Sequence, residues 1–339
     1  MRALRYHGPR TPLRLETVPT PEPGEGELRL RVTAAGICHT ELHFLSGLLN
    51  LGISPLTLGH ETVGVVDAVG AGVTGFRGGE RVIAYYYAGC GACEHCRRGD
   101  ENLCNALRAE YGFITDGGFA EFMIVPARNA ILLPPEISDE AAAPIGCGVT
   151  TAIHASKLAR LAERDTVLIY GAGTVGFGLI QLAKLSGAQP IAVGRSPEKL
   201  KLARDLGAQT IDASTEEVAA RVREMTGGRG ADVVFELVAT QATMDQSMRA
   251  LSKRGRLVFI GYSEDSFSVH PIHLLISEVS VTGSVGNTLA ELREAVRLVG
   301  EGKISTVVDR ALPLAEFQKG IDALERGELV GRAVLKPQA

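Results

Sequence analysis

The run TVLIYGAGTVGFGLIQLAKLSG, residues 166–187, limits the fold more than any other part of the chain. From Thr166 to Ala183 it carries no charged side chain and is nearly long enough to suggest a membrane-spanning helix. Gly171, Gly173, Gly176 and Gly178 argue against that, because they divide the run into a short apolar strand and a following helix. The first three are spaced G-x-G-x-x-G. At a strand-to-helix turn this spacing allows a sharp bend and lets a pyrophosphate approach the backbone at the positive end of the helix. The pattern is weak alone; its place between an apolar run and a helical one gives it weight.

The surrounding sequence has the same texture. TVLIY, QPIAV, QTID, ADVVFEL and RLVFIG read as buried strands, separated by helical stretches such as SPEKLKLARDLG and STEEVAARVREMTG. This alternation predicts a parallel sheet with helices on both faces. The first 135 residues differ: short alternating segments such as LRLRVTAAGI and TVGVVDAVG, divided by Gly and Pro clusters, predict a mostly β domain. At 339 residues the chain is about twice the commonest domain size. The expected division is 1–148, 149–287 and a returning segment, 288–339. A net charge of -4 without runs of like charge points to neither nucleic acid nor an anionic membrane as partner. The opening MRALRYHGPR lacks the apolar core of a secretion signal, so a cytoplasmic protein is expected.

The strand after the glycine turn ends in Gly194, Arg195 and Ser196, where a site for NAD usually offers a carboxylate to the ribose 2′-hydroxyl. A small residue, a guanidinium and a hydroxyl suit a 2′-phosphate instead, and Lys199 adds charge one turn later. The alternative is that Arg195 and Lys199 only face solvent and NAD is preferred.

Six cysteines are present. Cys90, Cys93, Cys96 and Cys104 lie in GCGACEHCRRGDENLC, a spacing that can fold four thiolates into a closed tetrahedron around Zn²⁺. An iron–sulfur cluster fits less well: the bacterial ferredoxin run has three residues before its fourth Cys and a Pro after it, whereas here seven precede it and Asn105 follows. A disulfide framework is disfavoured by the absence of a secretion signal. Cys38 in GICHTELH, His60 in GHE and Cys147 in APIGCGVTT would make a Cys₂His set with an open fourth position. Taken singly, each is more often a small buried thiol or a satisfied histidine.

With GHE, the four-cysteine lobe, GCGVTT, GAGTVG and the terminal GRAVL in this order, essentially the whole chain resembles the zinc-dependent medium-chain alcohol dehydrogenases. The resemblance implies an α/β plus β architecture: a GroES-like catalytic domain made from both ends of the chain and a Rossmann domain between them. It further implies two zinc ions per chain, a catalytic one on Cys38, His60 and Cys147 with Glu61 behind it, and a structural one on the Cys90 lobe. Thr40 matches the hydroxyl beside the substrate oxygen, and His43 the solvent end of the proton relay. His39 and Arg332 match basic residues near the cofactor pyrophosphate, and Thr151 a residue packed near the nicotinamide. Gly171, Gly173, Thr174, Val175 and Gly176 would form the turn under the pyrophosphate. The sequence departs from the pattern at Glu41, where the family most often has Asp.

The resulting expectation is an oxidoreductase that interconverts small-molecule alcohols and aldehydes or ketones, using NADP(H) in preference to NAD(H), as a homodimer or homotetramer joined at the Rossmann sheet edge near Val279 to Ser284. The zinc-free quinone or enoyl reductases of the same superfamily are disfavoured by the retained Cys38, His60 and Cys147. A non-catalytic nucleotide-binding protein on the same fold is the alternative from another class.

Overall fold

Thr166–Tyr170 is buried at every position, as a strand covered on both faces must be, and it lies inside a six-stranded sheet. The computed structural model of the protein describes all residues, 1–339. Neighbouring strands in that sheet are Gln209–Asp212, Gln189–Gly194, Thr166–Tyr170, Ala231–Glu236, Leu251–Phe259 and Ser280–Gly283, in that spatial order and all parallel. Parallel strands need crossovers, supplied here by helices including Thr174–Leu185, Pro197–Asp205, Val218–Met225 and Gln241–Ala250. Val218 and Val222 pack with Leu168, Ile191, Val193 and Ile211 into one apolar core. The uncharged stretch is therefore a strand and a helix, and no helix in the protein is long and apolar enough to cross a membrane.

The chain separates into two compact units, Met1–Thr150 with Asn287–Ala339, and Thr151–Gly286. The first holds a mainly antiparallel seven-stranded sheet. Its long strand Glu27–Ile37 alternates buried and half-buried residues over the first seven positions, then buries its last four as it runs into Cys38. That strand pairs antiparallel with Glu61–Val69 on one side and with the terminal strand Arg332–Lys336 on the other. The terminal strand in turn lies parallel to Val308–Pro313. Residues from the two ends of the chain thus reach the same place: Gly36 faces Glu61, and Ala333 faces Ile37. This is a GroES-like fold, and the parallel-sheet unit is a Rossmann fold.

Candidate metal centres and dinucleotide site

Cys38 ends the long strand and caps the helix His39–Ser46. The Glu41 carboxylate reaches back to accept the Cys38 N–H at 2.6 Å, satisfying one of the helix's orphan donors. Its other oxygen, Oε1, lies 3.5 Å from His60 Nδ1, and neither atom has a hydrogen-bond partner. The longer carboxylate at position 41 thus serves the helix and stops short of a hydrogen bond to the imidazole. The His60 ring is held between Tyr86 and Phe113, with centroids 5.4 and 5.0 Å away. Cys147 joins from the junction between a 3₁₀ turn, Ala143–Gly146, and the helix Gly148–Leu158.

One donor atom each from Cys38, His60, Glu61 and Cys147 lies within 4.8 Å of the others. Glu61 is fully buried, and its carboxylate crosses the neighbouring strand where Gly36 leaves room; any Cβ at position 36 would collide with it. Glu61 Oε1 lies 2.6 Å from Arg332 Nη2, yet neither carboxylate oxygen is aligned for a hydrogen bond. Burial pushes the Glu61 carboxyl up to about 7, against the pull of Arg332. The Cys147 thiol donates to Cys38 Sγ and, with the positive Arg332, favours the Cys38 thiolate well below the usual thiol range despite burial. Two half-buried sulfurs, a buried imidazole and a buried, unsatisfied carboxylate, brought together, suit a Zn²⁺ ion.

The Arg332 guanidinium also donates to Ile37 O at 3.2 Å and is almost wholly buried. It stands beside the metal donors, with Nη2 2.6 Å from Glu61 Oε1. Thr40 and His43 are three residues apart on the helix and share a face. The Thr40 hydroxyl lies 3.7 Å from Cys38 Sγ, and burial holds the His43 imidazole below its usual range. His39 is exposed on the first turn, and Thr151 is buried.

The second donor group is Cys90, Cys93, Cys96 and Cys104. Sγ separations are 3.9 Å for Cys90–Cys96 and 3.8 Å for Cys93–Cys104. A tetrahedron with Zn–S bonds of about 2.3 Å places sulfurs about 3.8 Å apart, so the cage has the right size. Backbone N–H groups of Cys90, Ala92, Cys93, Cys96 and Ala106 point at these sulfurs, which favours thiolates. Glu101 accepts from Gly89 N–H and pairs with Arg128, fixing the loop to the domain.

In the Rossmann unit, Gly171 adopts φ +125° and Gly176 packs so closely that a Cβ would meet Gly171 O. Gly173 opens the helix Thr174–Leu185 without a side-chain cap, and space where its Cβ would point is empty. Uncapped N–H groups of Thr174, Val175 and Gly176 beside an open glycine suit a phosphate. Gly194 ends its strand with Arg195 exposed beyond it. Ser196 caps the next helix by accepting Lys199 N–H at 3.3 Å and donates to Glu198 Oε2 at 2.7 Å. The carboxylate of Glu198 was missed from the sequence, because it comes from the helix and not from the strand end.

A second group that sequence reasoning missed adjoins His60. Asn287 donates to Tyr86 Oη at 3.3 Å, the buried Tyr86 and Tyr87 rings lie 4.4 Å apart, and burial pushes the Glu110 carboxyl up to about 7. Glu110 and Asn287 carry no local signal in the sequence.

Known proteins resemble both parts of the chain. Residues 24–135 match the alcohol dehydrogenase GroES-like domain, and residues 174–301 the zinc-binding dehydrogenase family. An NAD-dependent alcohol dehydrogenase of Sulfurisphaera tokodaii is 33% identical over 99% of this chain and 100% of its own length. An acryloyl-coenzyme A reductase of Metallosphaera sedula is 32% identical over 99% of both. The crystal structure of the alcohol dehydrogenase from Aeropyrum pernix is 38% identical and superposes with a TM-score of 0.93, over 99% of this chain and 100% of that one. With both halves matched and full-length relatives at this identity, the chain belongs to the zinc-type medium-chain dehydrogenase family and is an oxidoreductase.

Proposed function

We propose that the protein is a zinc-dependent alcohol dehydrogenase, interconverting an alcohol and its aldehyde or ketone by hydride transfer with a nicotinamide dinucleotide. The observation that carries this reading is the contrast between the two donor groups. Cys90, Cys93, Cys96 and Cys104 form a closed four-sulfur cage, suited to a structural Zn²⁺. In the other group the fourth donor is the Glu61 carboxylate, which lies 2.6 Å from Arg332 Nη2, so that Cys38, His60 and Cys147 would leave one position open beside the Thr40 hydroxyl. A Zn²⁺ ion held there would act as a Lewis acid on the substrate oxygen. Glu61 would stand behind it, balanced by Arg332. Thr40 would accept the alcohol proton in a hydrogen bond, and His43, on the same helix face, would pass it towards solvent.

For the cofactor, the uncapped glycine turn at Gly171–Gly176 would hold the pyrophosphate, with His39 as a further basic contact and Thr151 near the nicotinamide ring. Gly194, Arg195, Ser196 and Lys199 support NADP(H), since no carboxylate comes from the strand end. A second reading, NAD(H), is favoured by Glu198, whose carboxylate already holds the Ser196 hydroxyl.

The test is zinc analysis followed by turnover of a panel of alcohols, aldehydes and ketones with each dinucleotide. Two zinc ions per chain and carbonyl reduction are expected; no turnover of any panel member at full zinc loading would refute the dehydrogenase reading. With NADPH preferred, Arg195→Asp lowers kcat/KM for NADPH about 10- to 100-fold, the worth of a charge-assisted phosphate contact, and leaves NADH less affected. Preference of the wild-type protein for NADH would refute the NADP(H) assignment alone.

A further inference from the structure

Glu236, the last residue of the strand Ala231–Glu236, is fully buried and has no part in the chemistry described above. Its carboxylate is held entirely by neutral donors. Oε1 accepts the N–H groups of Val238 at 2.8 Å and Ala239 at 2.7 Å and the Thr243 hydroxyl at 3.2 Å, and Oε2 accepts the Ser247 hydroxyl at 2.8 Å. Burying a carboxylate is costly unless every lone pair is met, so such an arrangement fixes its donors in place. Here two consecutive backbone N–H groups converge on one oxygen. This folds Leu237–Ala239 into a tight turn in which Ala239 takes a left-handed φ of +59° and its carbonyl accepts from Ser263 at 2.6 Å.

The turn is pressed against the glycine motif. A Cβ at Gly171 would lie 3.0 Å from Leu237 Cβ and 3.4 Å from Val238 Cγ2. Leu237 N–H donates to Tyr170 O at 3.0 Å, one residue before Gly171. On the other side, the N–H groups of Ile260 and Gly261 donate to Glu236 O at 2.9 and 3.0 Å, and Gly261 has no room for a side chain against Leu237. Three strand ends therefore meet around Glu236, through its main-chain carbonyl and the turn its carboxylate holds, and that turn packs directly on Gly171.

We infer that Glu236 is a positioning residue for the dinucleotide, holding Leu237–Ala239 as a fixed wall against the glycine turn. The inference rests on the dinucleotide reading of that turn. It is tested by equilibrium titration of the zinc-loaded protein with NADH and NADPH, followed by fluorescence, together with zinc content and thermal unfolding. In Glu236→Ala the Val238 and Ala239 N–H groups lose their acceptor, and the dinucleotide Kd is expected to rise about 10- to 100-fold with zinc content unchanged. Glu236→Gln keeps an oxygen for both N–H groups, and the Ser247 hydroxyl can turn to accept, so binding should return to within about threefold of wild type. If Glu236→Ala does not fold, Thr243→Val and Ser247→Ala each remove one bond to the carboxylate and should raise Kd about three- to tenfold. Lower thermal stability with dinucleotide Kd unchanged in these variants would overturn the inference and leave Glu236 a structural residue only. A wild-type protein that binds neither dinucleotide would instead overturn the dinucleotide reading, and this inference with it.

Discussion

The Thr40 hydroxyl lies 3.7 Å from Cys38 Sγ, beside the metal-donor set. In the proposed reaction it carries the alcohol proton, and general acid–base contributions of this kind are worth about 10²- to 10⁴-fold. Thr40→Ala should lower kcat by that order with zinc retained, whereas Thr40→Ser keeps the hydroxyl and should stay within about tenfold of wild type. Equal activity in Thr40→Ala and Thr40→Ser, measured by steady-state kinetics at saturating cofactor, would show that the hydroxyl carries no proton. At this scale the donors themselves were legible, because a thiol or an imidazole stands out from its neighbours in any sequence. The residues that tune them were not. Arg332 reaches Glu61 only because the terminal strand pairs with the strand that ends at Cys38, and no local pattern encodes a pairing between opposite ends of the chain. Glu41 could be read as a replacement for Asp, but its commitment to the Cys38 N–H depends on helix-cap geometry that only the folded backbone supplies.

Among the elements, the loop from Gly89 to Cys104 has little apolar material to hold it: its one large apolar side chain, Leu103, is 46% exposed. Its helix Glu94–Arg98 is a single short turn with no buried residue. Five N–H···S contacts and the Glu101–Arg128 pair order the sulfurs, but four thiolates brought together repel unless a cation joins them. Metal binding in such a loop is folding free energy. Cys93→Ser should therefore cut the zinc content from two ions per chain to one, lower the unfolding temperature, and make residues 89–105 the first site of proteolysis. Retention of both ions by metal analysis would refute a structural zinc in this loop. The close cysteine spacing made this element readable, as period and glycine placement did for the strand and helix at Thr166–Leu185. The dinucleotide preference was less readable for a physical reason: Glu198 bends back from its helix to Ser196, so the charge at the end of the Gln189–Gly194 strand is set by a side-chain conformation.

At the scale of the whole molecule, the change of texture near residue 150 and the return near 287 were visible because the two units bury their strands differently. The central Rossmann strands, such as Thr166–Tyr170, are covered on both faces and read as apolar runs, whereas the long GroES-like strand Glu27–Ile37 alternates over its first seven residues. The Rossmann sheet ends in a strand, Ser280–Gly283, exposed at all four residues. An edge of this kind leaves N–H and C=O groups ready to pair with another chain unless it is blunted by charge, proline or a bulge, and Ser280–Gly283 has none of these. Next to it stand large apolar side chains, Leu275 at 71% and Ile276 at 65% exposure, with Val281 and Val285 also exposed. We propose that this edge joins two copies of the chain about a twofold axis, which closes the assembly and covers the same patch on both. Leu275→Glu combined with Val285→Lys should then weaken self-association at least about 100-fold, shifting sedimentation equilibrium from dimer or tetramer towards monomer, while zinc content stays at its wild-type value. Both substitutions lie outside the metal and dinucleotide residues, so loss of zinc would mean misfolding. A wild-type chain that sediments as a monomer at micromolar concentration, or a double variant that associates as tightly as wild type, would show that the edge is not the interface.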